Sequence, residues 1–146
     1  MKGSRAFFDS SAIIPILLRQ PFSTRARQLL RKYQKPVLAW TTPIEVQSTL
    51  SRLSRQGYLN DKDYQTALDR FRTIEDNRIE VLPTASLREL AREVLQTYDL
   101  RAADAIQIGS ALVWCNRKPK DHPFVTFDVR LADVATKAGF AVHTAK

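Results

Sequence analysis

The 146-residue chain carries 23 Lys and Arg against 15 Asp and Glu, giving a formal net charge of +8 and a pI near 10.0. That length fits one domain spanning residues 1–146, and 44% hydrophobic residues with only 4 Gly and 7 Pro exclude a disordered or collagen-like chain. The lone Cys115 excludes an intrachain disulfide and a thiolate zinc site, while His122 and His143 lie too far apart to read as a ligand pair.

The chain begins MKGSRAFFDSS, whose apolar run stops at Asp9 and resumes only briefly at Ala12, so neither a secretory signal nor a membrane span is expected. Cytoplasmic location is the expectation. Short runs rich in aromatic and β-branched residues predict buried strands at 5–8, 37–40, 79–82, 124–127 and 140–143. Between them, Ser23 opens a predicted helix to Tyr33; Thr42-Pro43 opens one closed by Gly57; Asn60 precedes one reaching Glu75. Helices follow from Ser86, from Ala102 to Val113, and after Asp128 until Gly139. Continuous rather than alternating apolar strands, separated by helices, predict an α/β fold with a mostly parallel sheet covered on both faces. Right-handed crossovers then bring every strand-to-helix turn to one sheet edge, where ligands of such folds bind.

Four acids stand at predicted strand ends and helix starts. Asp9 follows Ala6-Phe7-Phe8, and Asp128 follows Phe124-Val125-Thr126-Phe127; each, taken singly, reads as a helix N-cap. Glu45 in Thr42-Pro43-Ile44-Glu45 matches the capping box, although it also heads a polar face with Thr49, Arg52 and Gln56. Asp104 is the acid hardest to explain structurally, because its helix is apolar on nearly every side and it aligns with Ile108, Ala111 and Cys115, a stripe that should turn its carboxylate to the interior. Caps need not be acids, yet all four here are carboxylates. Converging at one edge, they would repel one another, and a hard divalent ion, Mg²⁺ or Mn²⁺, would relieve that repulsion. Phosphodiester hydrolysis is the chemistry such a site supports, and the basic surface would hold a polyanion such as RNA. No Gly-rich phosphate loop and no G-x-S-x-G elbow occur, which argues against nucleotide triphosphate binding and serine hydrolysis. Trp40 and Trp114 read as core residues rather than base-stacking platforms.

Read in order, Phe8-Asp9-Ser10-Ser11-Ala12, Thr42-Pro43-Ile44-Glu45, Leu100-Arg101-Ala102-Ala103-Asp104-Ala105-Ile106-Gln107 and Val125-Thr126-Phe127-Asp128-Val129-Arg130-Leu131 resemble the PIN-domain family, and within it the VapC-type toxins of toxin–antitoxin pairs. The resemblance implies a PIN-like three-layer α/β/α fold around a parallel five-stranded sheet, endoribonuclease activity dependent on Mg²⁺ or Mn²⁺, a cognate antitoxin that occludes the site, and a homodimer. It also implies that Asp9 and Asp104 are the primary metal ligands, that Asp128 and Glu45 complete the catalytic site, and that Ser10 and Thr126 orient carboxylates or water. RNA-binding residues are left unassigned. The rival expectations are a non-catalytic RNA- or partner-binding domain and a housekeeping RNA-processing nuclease.

Overall fold

In a computed structural model, which describes residues 4–146, five strands form one sheet: β1 (Arg5–Phe8), β2 (Lys35–Ala39), β3 (Ile79–Val81), β4 (Pro123–Val125) and β5 (Ala141–His143). Their spatial order is β3-β2-β1-β4-β5, and every neighbouring pair is parallel. Seven helices connect them: α1 (Ser10–Leu17), α2 (Ser23–Lys32), α3 (Thr42–Arg55), α4 (Asp61–Asp76), α5 (Ala85–Thr97), α6 (Ala102–Trp114) and α7 (Val129–Ala138).

Side chains alternate across the strands into two separate cores. Ala6, Phe8, Leu38 and Val125 pack with Ile13, Leu17, Leu29, Leu50 and Phe71 of α1 to α4. Phe7, Val37, Ala39 and Phe124 face the other way, onto Val94, Ile108, Ala111, Leu131 and Val134 of α5 to α7. Both faces being covered is why the strands read as unbroken apolar runs rather than as alternating ones. All five predicted strands and the α/β class are present. The strands end earlier than the sequence implies at β2, β3 and β4, because Trp40, Leu82, Thr126 and Phe127 already lie beyond the sheet. Among the described residues no helix is long and apolar enough to cross a membrane.

The order of strands reverses between β1 and β4, so their C-terminal ends flank the switch point at which open α/β sheets bind ligands. Helix α7 starts beside that region and is stopped at the opposite edge of the sheet, just before β5, by Gly139 at φ 111°, whose N–H bonds to the Thr136 carbonyl while Phe140 N–H reaches Ala135. A Cβ at Gly139 would also lie 3.0 Å from Pro119 Cγ. Gly139→Ala should therefore cost about 1–2 kcal/mol, read as a lowered denaturant midpoint, whereas an unchanged midpoint would show that the turn relaxes freely.

Candidate active site

Because β1 runs toward the switch point, Phe8 is its last core residue and Asp9 the first beyond it, yet Asp9 is only 2% exposed. Its carboxylate caps α1 by accepting from Ser11 N–H, and its second oxygen accepts from the Ser11 hydroxyl at 3.1 Å. The Ser11 Oγ in turn lies 3.2 Å from Thr126 Oγ1 and accepts from Phe127 N–H at 3.0 Å. Thr126 Oγ1 accepts from Asp128 N–H at 3.2 Å, and Asp128 caps α7 by accepting from Leu131 N–H at 3.0 Å. The chain Asp128–Thr126–Ser11–Asp9 ties the end of β4 to the end of β1.

On the far side of β1, Glu45 sits in the first turn of α3. The Thr42–Glu45 capping box expected from the sequence does not form. The cap position is Thr41, which makes no side-chain cap bond, and Thr42 is fully buried inside the helix. Both members of the supposed box bond instead to Gln107 of α6: its Nε2 donates to Glu45 Oε1, and to Thr42 Oγ1 at 3.3 Å. Tertiary packing has captured residues that the local pattern assigns to each other.

Asp104 lies in the first turn of α6, reached from α5 by a short loop rather than from a strand, so three of the four acids follow strands and one does not. The sequence expectation that Asp104 would be the interior acid is corrected: it is only partly buried, at the protruding end of its helix, while Ile108, Ala111 and Cys115 below it are buried. Asp9 is the buried one.

The four carboxylates share one electrostatic site. Burial raises Asp9 to about 6, with the Asp128 charge adding to the shift and hydrogen bonds from its hydroxyl and N–H neighbours opposing it. Burial likewise raises Glu45 to about 7; Gln107 opposes this, and the charges of Asp9 and Asp104 reinforce it. Asp104 is pushed up by partial burial and then by Asp128, against the pull of Arg101 and Arg130. Each acid therefore acts on two others, in a ring running Asp9, Glu45, Asp104, Asp128 and back. They gather without touching: among the described residues no group of three His, Cys, Asp or Glu side chains is drawn together tightly enough to hold an ion as it stands.

The donor set nonetheless suits a hard divalent cation, being all carboxylate oxygen with no thiolate or imidazole near it. Burial first, and the neighbouring carboxylate charges after it, make ionisation of Asp9 and Glu45 costly, a cost that a bound cation would offset. Gln107 Oε1, buried without a partner, is a further oxygen beside Glu45.

The site also contains residues that the sequence reading missed. Ser11, not its neighbour Ser10, holds Asp9 and meets Thr126; the Asp-x-Ser spacing of a local side-chain turn was the available signal. Gln107, one turn beyond Asp104, is 2% exposed, and a buried amide in an apolar helix was the signal there. Trp40, read as core, is 44% exposed, because it follows the last sheet residue of β2.

A protein-family model described as PIN domain matches residues 6–137. A search of curated proteins finds no match. Among solved structures, the chain is similar to a toxin–antitoxin complex from Klebsiella pneumoniae, with TM-score 0.65, 18% identity, and 97% of this chain and 98% of that chain covered. It is similar to FitAcB from Neisseria gonorrhoeae, with TM-score 0.66, 16% identity and coverage of 96% and 97%. It is also similar to VapBC2 from Rickettsia felis bound to a DNA fragment from their promoter, with TM-score 0.65, 13% identity and coverage of 96% and 98%.

Proposed function

The chain belongs to the PIN domain family, and from that premise we propose that it is a metal-dependent endoribonuclease, the VapC-type toxin of a toxin–antitoxin pair, working in the cytoplasm as one domain of a homodimer. The observation that carries the reading is the ring of four mutually repelling carboxylates at the sheet edge of a chain with net charge +8. Similarity to a toxin–antitoxin complex from Klebsiella pneumoniae supports an antitoxin as partner.

In this reading Asp9 and Asp104 are the primary ligands of Mg²⁺ or Mn²⁺, with Asp128 and Glu45 completing the set. A bound ion would supply activation of water and stabilisation of the leaving oxygen in phosphodiester hydrolysis. The protein's own groups prepare the site. Ser11 and Thr126 hold the Asp9 carboxylate in one orientation, and Gln107 holds Glu45, so neither must reorganise when substrate enters. Arg101 and Arg130, whose charges act on Asp104, are placed to attract the RNA phosphate toward an otherwise acidic cup.

The test is cleavage of single-stranded RNA with Mg²⁺ or Mn²⁺, with EDTA, and by Asp104→Asn. Cleavage should require metal and fall at least about a hundredfold in the variant. Millimolar Mn²⁺ should also raise the melting temperature of the wild type, since an ion that binds only the folded state stabilises it. Metal-dependent cleavage undiminished in a folded Asp104→Asn protein would overturn the assignment. Absence of both cleavage and metal stabilisation would leave a non-catalytic binding domain as the better reading.

A further inference from the structure

The exposed Trp40 opens onto an apolar groove of about 340 Å³, whose walls include Pro83, Leu87, Ala91, Leu95 and Ile106. We infer that this groove is a slot for an unpaired nucleobase of the RNA substrate, with the Trp40 indole as its stacking face and Arg88 and Arg92 as holders of the adjoining phosphate. The inference rests on the ribonuclease reading and adds to it the place and the kind of nucleotide contact.

Position is the first argument, because the groove and the acidic cup both draw on the starts of α3 and α6. Thr41 lines the groove and is the cap residue of α3, whose first turn carries Glu45. Ala102 and Ile106 line it from α6, on either side of Asp104 in the sequence. A nucleotide bridging the two would put its phosphate at the acids and its base against Trp40.

Shape and charge are the second argument. The floor is aliphatic and the one large aromatic face is open to solvent, which suits a flat π-system and not a duplex whose bases are already stacked. No acidic residue lines the groove. Arg88 and Arg92, one turn apart on α5, are its charged lining residues. Arg88 makes no ion pair among the described residues, and Arg92 has only an exposed pair with Glu89 at 3.3 Å, which phosphate can displace at little cost. Such a rim complements a polyanion better than it does the apolar flank of a protein partner.

Stacking is blind to base identity, so the slot should select single strands over duplexes rather than one base over another. Binding is tested on the full chain carrying Asp104→Asn, with EDTA present so that RNA stays uncut, using a fluorescein-labelled single-stranded oligoribonucleotide and its duplex. Adding Trp40→Ala should weaken single-strand binding roughly tenfold and leave duplex binding unchanged, while Trp40→Phe retains most of the affinity. Single-stranded RNA should quench the indole fluorescence of the protein, and Trp40→Phe should remove most of that quenching. Full single-strand affinity in a folded Trp40→Ala protein would overturn the slot, and metal-dependent cleavage by the otherwise unaltered chain would then leave the ribonuclease reading standing. Full affinity together with loss of a dimer on sedimentation would identify the groove as an interface between copies. If the unaltered chain neither binds nor cuts RNA, slot and ribonuclease reading fall together.

Discussion

Replacing Asp9 with Asn should make the metal-free protein more stable near neutral pH, by about 1–2 kcal/mol, while reducing RNA cleavage at least about a hundredfold. Asp9 is nearly fully buried, and its carboxyl is pushed up from 3.8 to about 6. The folded state therefore holds the Asp9 proton more tightly than the unfolded chain does. The contribution of this group to stability is fully present below the unfolded value. It is lost as pH rises through about 6, where the buried carboxyl ionises. A shift of that size corresponds to roughly 3 kcal/mol at neutral pH. Asn avoids that penalty and can still accept from Ser11 N–H at the start of α1, but it gives up one oxygen acceptor for the Ser11 hydroxyl, which offsets part of the gain. Chemical denaturation of both proteins in EDTA, at pH 4 and at pH 7.5, checks this. The variant's advantage should appear only at the higher pH. A variant less stable than wild type at pH 7.5 would mean that the carboxylate supports the fold rather than straining it.

Phe124→Ala is expected to cost about 3–5 kcal/mol, a large fraction of the stability of a domain this size. Phe124 is fully buried in a strand of three residues, between the rings of Phe7 at 5.1 Å and Phe140 at 5.3 Å. Few neighbours on so short a strand can close the space that the ring leaves. Thr126 and Asp128 continue directly from this strand, so its loosening should also weaken stabilisation by Mn²⁺. Phe22→Ala makes the control: that ring touches Phe127 edge-on at 5.7 Å but is 45% exposed, and its loss should cost no more than about 1 kcal/mol. Urea midpoints decide between them, and equal small losses in the two variants would show that the core on the α5–α7 side does not depend on the β4 aromatic.

The elements themselves were legible because each rests on a local physical cause. Ala6-Phe7-Phe8 and Phe124-Val125 read as buried strands since helices cover both their faces. Asp9, Asn60 and Asp128 were readable as helix starts because a cap needs only its own next three residues, and each makes that bond. The gathering of four acids was also foreseeable, three of them from the direction of parallel strands alone. The pattern of residues 6–137 that marks the family is likewise carried by the chain itself.

What lay beyond the sequence was the pairing of polar groups across long separations. Gln107 takes Glu45 and Thr42 away from a capping box that fits letter for letter, because its amide, brought in by α6, reaches both side chains while the Glu45 N–H is already bonded to the Thr41 carbonyl. Ser11 rather than Ser10 meets Thr126, since only the second hydroxyl of α1 turns toward the end of β4. Local sequence sets period, caps and strand direction through forces acting over a few residues. Which acid is buried, which ring stays in water and which hydroxyl closes a hydrogen bond depend on how far each element projects past the sheet edge, and the packing of the two cores decides that.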